Sequence, residues 1–372
     1  MTRIAVVGLG KMGLSHLSIA RAIDGVDVVG LCDSASYLRS VIGKYTGTET
    51  FGDYSKMLDR QAPDGVIVAT PTRLHAPMVR EALERGIAVF CEKPFCLTAA
   101  QSTEMVALAE AHGLVTQVGY HNRFVGTFAE VKRLLDLRAI GDVTHGLAEA
   151  YGPVVLKHQH GTWRSSKNEG GGALYDYAAH PLNLINWYLG RPDGVGGTVL
   201  HSVFSDETDD EVSSTMLFPD RATVQLSVNW SDESVRKMTT RISLWGTSGR
   251  ITADRQEIRV YLRGGAELPE GYVRGWNVRD TTELTPPVQF YLRGEEYSAQ
   301  LEQFAANVEV GRLGGTNDMA SALVTDQCIE LLMEDNRRAG FFGLTDSPMP
   351  LEPKARRSWY RPGRSHGRGE NG

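Results

Sequence analysis

Cysteine is scarce: Cys32, Cys91, Cys96 and Cys328 are the only four in 372 residues, and no two form a Cys-x-x-Cys pair. This spacing provides no disulfide framework, so reduced core thiols and a cytoplasmic location are expected. Long apolar runs are missing too, since none approaches the ~20 residues that span a bilayer. There is no excess of positive charge: 39 Lys and Arg stand against 45 Asp and Glu, a net charge of −6. Such a balance offers no electrostatic footprint for nucleic acid. Strand-like Ile4-Ala5-Val6-Val7 follows Met1-Thr2-Arg3 directly, so no secretory leader is expected. His158 and His160 form a His-x-His pair, but no third ligand stands at a suggestive spacing, so no metal is expected.

What is present is an ordinary globular composition, 41% hydrophobic and 23% charged. The chain is longer than the ~250–300 residues at which single cores stop growing, which predicts two domains. The stretch Ala88-Val89-Phe90-Cys91-Glu92-Lys93-Pro94 reads as a buried strand that ends in charged groups. In an open parallel sheet, ligands bind beyond the carboxyl ends of strands. Lys93 therefore faces either such a ligand or, in the plainer reading, solvent.

The first 122 residues decide between these. Ile4–Val7 reads as a strand, Gly8-Leu9-Gly10-Lys11-Met12-Gly13 follows it, and Leu14 to Ile23 has helical apolar spacing. Strand, Gly-x-Gly-x-x-Gly and helix in succession form a dinucleotide fingerprint. Gly8 permits the tight turn, Gly10 lets backbone approach a pyrophosphate, and Gly13 allows close packing of helix on strand. Lys11 and Met12 lie in the same loop, at the helix end whose free N–H groups favour phosphate. A second strand, Val26–Cys32, ends in Asp33. A carboxylate there accepts ribose hydroxyls and repels a 2′-phosphate, which favours NAD over NADP. Arg39 can reach back to the same place, and Asp33 can also cap the next helix. Further alternation of strand and helix predicts a doubly wound parallel sheet. Two strand ends read as ligand loops: Thr70-Pro71-Thr72-Arg73-Leu74-His75, and Gly119-Tyr120-His121-Asn122-Arg123-Phe124. His75 is either a packed histidine or a cofactor-side contact.

Beyond residue 122 a helix, a strand and a loop with Trp163, Arg164 and Lys167 lead to Gly170-Gly171-Gly172. Three glycines allow close backbone approach and an abrupt helix entry. The helix then expected runs to Leu189 and carries Asp176 and His180, four apart and so on one face. A carboxylate so placed can orient the imidazole or raise its pKa. As an isolated pattern it is also what a helix-start aspartate beside a core histidine looks like. From Gly194 to Leu262 short strands and tight turns predict an antiparallel sheet, and residues 295–310 and 317–338 read as helices. Alternating apolar residues such as Val224, Leu226 and Val228 mark a sheet face that needs cover.

With these residues in place, the chain resembles the Gfo/Idh/MocA family of sugar and cyclitol oxidoreductases over roughly residues 3–340. The resemblance rests on Gly8 to Gly13, on Ala69-Thr70-Pro71-Thr72 with His75, and on Glu92-Lys93-Pro94. It also rests on Gly119 to Phe124 and on Gly170-Gly171-Gly172 through Asp176 and His180. It implies a Rossmann domain over 1–122 and an α/β domain with a large, mostly antiparallel sheet over 123–345. Residues 346–372 are left as a flexible tail. It implies NAD bound by the glycine loop, Asp33, Thr70, Pro71, His75, Glu92 and Lys93, and a sugar, cyclitol or nucleotide-sugar substrate. Lys93, Asp176 and His180 match the catalytic positions, with His180 as general acid–base and Lys93 on the reacting oxygen. Tyr120, Asn122, Arg123, Trp163, Arg164 and Asn183 are candidate substrate contacts. A cis Lys93–Pro94 bond and a homodimer or homotetramer built on the sheet face are also implied. Two positions depart from the family pattern: Ala178 stands for the usual glycine and Asn183 for the usual aspartate. Some relatives of this fold instead retain NAD and cleave glycosidic bonds by transient oxidation.

Overall fold

A computed structural model describes residues 1–155, 163–219 and 222–338. His158, His160, the side chains of Trp163 and Lys167, and residues 346–372 lie outside the described residues.

The first unit alternates strand and helix. It comprises β1 (Thr2–Val7), α1 (Lys11–Ala20), β2 (Val26–Cys32), α2 (Ser36–Thr46), β3 (Thr50–Phe51), α3 (Tyr54–Gln61), β4 (Gly65–Val68), α4 (His75–Glu84), β5 (Ala88–Cys91), α5 (Ala99–His112) and β6 (Thr116–Val118). The strands pair in the order β3-β2-β1-β4-β5-β6, all parallel. Strand order reverses beside β1, which opens a crevice above its carboxyl end. Every residue of β4 and β5 is buried, as continuous Val, Ile and Phe runs require when helices cover both faces. The short β3 carries no strand pattern of its own and escapes a reading by periodicity.

The second unit contains α6 (Gly126–Asp136), β7 (Val143–Tyr151), α7 (Ala179–Leu189), β8 (Gly194–His201), β9 (Glu211–Leu217), β10 (Thr223–Asn229), β11 (Thr239–Gly246), β12 (Gly249–Ala253), β13 (Glu257–Leu262), β14 (Gly275–Asp280) and α8 (Thr281–Leu284). Its eight-stranded sheet runs β14-β13-β12-β11-β7-β10-β9-β8. All pairs are antiparallel except β7 with β10. Val224, Leu226 and Val228 are at most 2% exposed and lie in the protein's own core. The expectation that they mark a subunit contact is therefore corrected. Gln225, on the other face, is exposed.

The last two helices return to the first unit. From α9 (Glu295–Val310), Leu301 and Phe304 pack with Ile4, Val6 and Phe90. Burying a phenylalanine there contributes about 1.5–3 kcal/mol. Helix α10 (Met319–Arg338) packs on α5, α7 and β8 and so spans both units. No described helix is long and apolar enough to cross a membrane.

Candidate active site

The glycine loop has the geometry its sequence predicts. Gly8 has φ +88°, and a Cβ there would stand 2.6 Å from the Ala69 carbonyl oxygen. A Cβ at Gly13 would stand 1.7 Å from the Gly8 carbonyl oxygen, whereas one at Gly10 would meet nothing within 4 Å. Gly8 and Gly13 are thus fixed by packing, and Gly10 by open space in front of it. Helix α1 starts here with no side-chain cap and no acidic residue in its first turn. Its unshielded N–H groups suit a pyrophosphate, so the loop fits a dinucleotide.

Asp33 does more locally than expected. Its Oδ2 accepts from Leu9 N at 2.7 Å and its Oδ1 from Ala35 N at 2.8 Å. It ties the glycine loop to the end of β2 and closes a turn, rather than capping α2 directly. Each oxygen keeps a further lone pair for a ribose hydroxyl. Arg39 does reach back, donating to the carbonyls of Asp33 and Ser34 at 2.7 and 2.8 Å.

His75 is structural in its contacts. It is 1% exposed; Nδ1 lies 2.9 Å from the Pro94 carbonyl and Nε2 2.9 Å from that of Thr70. Both ring nitrogens face backbone, so it clamps the Thr70-Pro71 turn to the Lys93-Pro94 turn. Of the two readings open for His75 in the sequence, these contacts are those of the packed histidine.

Strand β5 ends at Cys91, and the Lys93–Pro94 peptide bond beyond it is cis. The Lys93 amine donates to Asp176 Oδ1 at 2.8 Å and to the Asp176 carbonyl oxygen at 2.9 Å. Arg164 Nε donates to the other carboxylate oxygen at 2.8 Å. Burial alone would raise the Asp176 carboxyl, but the Lys93 and Arg164 cations outweigh it and hold it below its ordinary value. The helix that carries Asp176 opens with a π-helical turn, Leu174–Ala178, before α7 begins. Gly170 and Gly172 adopt φ +81° and +109°. A Cβ on Gly172 would come within 2.5 Å of Asp209, so the close approach expected of the triple glycine is real.

Asp176 does not pair with His180. The carboxylate is taken by Lys93 and Arg164, while His180 is 3% exposed with Nδ1 buried and lacking a protein partner. Nε2 takes no hydrogen bond from the described residues either, so neither ring nitrogen is held by the protein. Burial, then the charges of Lys93 and Arg255, push the imidazole well below its ordinary pKa. The sequence suggested a carboxylate that raises it. The reversal comes first from burial, and the charges nearest His180 are cations rather than a carboxylate.

Three groups around His180 escaped the sequence reading. The ring of His121 lies 5.0 Å from that of His180 and stacks on Tyr297 at 4.5 Å. Arg255 donates to His121 Nε2 at 3.3 Å and pairs with Glu296. A guanidinium has no acceptor, so His121 is neutral with Nε2 unprotonated. Burial, His180 and Arg255 hold its pKa well below the ordinary value. His121 stood in a stretch already marked as a ligand loop. Arg255 and Tyr297 arrive from a β-turn and the start of α9 and had no local signal. Away from His180, His16 bonds Glu92 from the second turn of α1 and likewise escaped the sequence reading.

The other candidates divide. Tyr120 is 1% and Asn122 2% exposed, and the Tyr120 hydroxyl and both Asn122 amide atoms lack protein partners. Arg123 and Asn183 bind each other: Arg123 Nε donates to Asn183 Oδ1 at 2.8 Å and Nη1 to Thr316 O. Asn183 Nδ2 donates to Thr325. Both are buried with their polar groups taken by the protein itself. Burial lowers Arg123 to about 10. Among the described residues no cluster of His, Cys, Asp or Glu is arranged to hold a metal.

A dinucleotide loop at a strand-order reversal, with an amine from the same sheet and a carboxylate and a buried imidazole from the facing domain, defines an NAD-binding oxidoreductase. Comparison with known proteins agrees. Residues 2–120 match the family described as oxidoreductase family, NAD-binding Rossmann fold, and residues 128–252 match the GFO/IDH/MocA C-terminal domain. The chain belongs to the Gfo/Idh/MocA oxidoreductase family. It is 28% identical over 319 residues to 2,7-anhydro-N-acetylneuraminate hydratase of Mediterraneibacter gnavus, covering 82% of this chain and 83% of that one. It is 24% identical over 334 residues to scyllo-inositol 2-dehydrogenase (NAD(+)) of Bacillus subtilis, covering 86% and 90%. In fold it is similar to levoglucosan dehydrogenase in complex with NADH and levoglucosan. The TM-score is 0.80 at 19% identity, over 91% of this chain and 97% of that one.

Proposed function

We propose that the protein transfers a hydride between NAD and a secondary alcohol or ketone of a sugar, cyclitol or nucleotide sugar. The observation that carries this reading is a Lys93 amine held by Asp176, close to a buried His180 that burial and nearby cations keep neutral and whose ring nitrogens no protein group holds. NAD, when bound, supplies the hydride acceptor. His180 Nε2 accepts the hydroxyl proton in oxidation and returns it in reduction; a neutral imidazole is the form that can accept. Lys93 donates a hydrogen bond to the same oxygen and stabilises the negative charge that grows there. Asp176 and Arg164 fix the amine, and Asp33 disfavours a 2′-phosphate. Tyr120, Asn122 and His121 line the substrate side.

A screen of sugars, cyclitols and nucleotide sugars with both nicotinamides, read by NADH absorbance, tests the reading. Stoichiometric NADH formation with a polyol is expected; no turnover with any of them contradicts it. A second reading, bond cleavage or hydration through transient oxidation with NAD retained, is favoured by the likeness to the M. gnavus hydratase. It predicts product without net NADH. We also infer assembly into a homodimer or homotetramer through the outer face of the second sheet. Tyr261 and Trp276 pair there at 5.3 Å, 38% and 57% exposed. A monomer by light scattering at micromolar concentration contradicts it.

A further inference from the structure

The Glu92 side chain is buried among three elements. Its Oε1 lies 2.6 Å from His16 Nε2, and its Oε2 accepts the Lys93 backbone N–H at 3.1 Å. Gly119, at the end of β6, closes the third side: a Cβ there would stand 3.1 Å from the carboxyl carbon. The strand ladder has ended at this point. Glu92 N still donates to Val68 O, but the Lys93 N–H turns to the Glu92 carboxylate. His16 itself is fully buried and packs edge-on against Phe90 at 5.2 Å. A buried ionisable pair is a weak stabiliser compared with apolar residues of the same volume. Its placement between the cofactor helix and the lysine turn therefore calls for another role.

We propose that His16 is a positioning residue that acts through Glu92 to hold the Lys93 backbone, coupling helix α1 at the dinucleotide loop to the placement of the reacting amine. Helix α1 begins at the glycine loop, and His16 stands one turn further along it. Displacing a reacting group by about 1 Å costs on the order of 10²-fold in rate. The inference rests on the oxidoreductase reading for the use made of Lys93, though not for the geometry.

The test compares His16→Gln with His16→Asn in the NAD-bound enzyme. Both are polar and uncharged, but only the glutamine amide reaches the position of Nε2. His16→Gln should keep kcat close to the wild type, whereas His16→Asn should lose about 10–100-fold, with NADH affinity unchanged in both. A second readout needs no substrate: acetylation of Lys93 by an acylating reagent, followed by peptide mass spectrometry with NAD present. Lys93 should label faster in His16→Asn than in His16→Gln or the wild type. A third is the pH profile. The groups facing the Glu92 carboxylate are His16 from α1, Lys93 from its own turn, His75 from α4 and Tyr297 from α9. Burial raises this carboxyl and the His16 bond lowers it. Without the bond it protonates at higher pH, so the acid limb of kcat should move upward in His16→Asn alone. Equal kcat and equal labelling in the two variants would overturn the proposal, as would NADH affinity that falls in step with kcat. A wild type inactive on every polyol, with labelling that still separates the variants, would count against the reaction while supporting the coupling.

Discussion

The two halves of the cleft are built by different rules. The dinucleotide side is assembled from neighbours in sequence: Gly8, Gly10 and Gly13 lie within one loop, and Asp33 closes on it from the next strand. The side proposed to handle the proton is assembled from afar. Lys93 comes from the first sheet, Asp176 and His180 from a π-turn and helix, His121 from the end of β6, and Arg255 and Tyr297 from beyond residue 250. Backbone sterics fix the first half and charge pairing fixes the second. The first should therefore fail by losing cofactor and the second by losing rate.

The largest separation should come from the far-assembled half. Lys93→Ala and His180→Ala should each lower kcat by about 10²–10⁴-fold while NADH affinity measured by calorimetry stays near the wild-type value. A parallel loss of NADH binding would erase the distinction between the halves. Gly13→Ala should do the reverse. Its Cβ has no room beside the Gly8 carbonyl, so NADH affinity should fall by about tenfold or more, roughly 1.4 kcal/mol. Unchanged affinity would mean that the loop can shift without cost.

How legible each half was in the sequence follows from the same difference. The glycine loop, the parallel sheet and the Glu92-Lys93-Pro94 turn are periodic or contiguous, so pattern and sterics point straight to them. Whether Asp176 holds Lys93 or His180 stays open in the sequence because helical spacing says which residues share a face, not which cation waits opposite. Lys93 and Arg164 outcompete His180 for the carboxylate, and no one-dimensional spacing reports that. Arg123 and Asn183 looked like cleft residues from their motifs and proved to satisfy each other in the interior. His16 sits in the cofactor helix, where apolar spacing drew attention to its neighbours. Val224, Leu226 and Val228 were visible as a face, but alternation does not say whether that face meets the protein's own helices or a second subunit.

A smaller effect concerns pH. Burial, with neighbouring cations, holds His180 and His121 below the ordinary imidazole value, and His75 is lowered by burial. Between those folded values and about 6.5 the unfolded chain binds more protons, so stability rises with pH across that window and falls as pH drops through it. Urea unfolding at a series of pH values checks the sign; stability that increases on acidification would contradict it. For the same reason the acid limb of alcohol oxidation should lie below about pH 6.5. A further contrast lies within one strand of the second sheet. Leu226→Ala should cost about 2–5 kcal/mol and Gln225→Ala no more than about 0.5 kcal/mol, measured by urea unfolding.

The central claim is that Lys93, from the first sheet, and His180, from the second unit, meet at one substrate oxygen. A crystal structure of the enzyme with NADH and the polyol found by the screen tests it most directly. Lys93 Nζ and His180 Nε2 should both lie about 2.6–3.2 Å from the same hydroxyl oxygen, with Asp176 still bound to Lys93. An oxygen held by Lys93 alone, with His180 remote and His121 or another group in its place, would contradict the account.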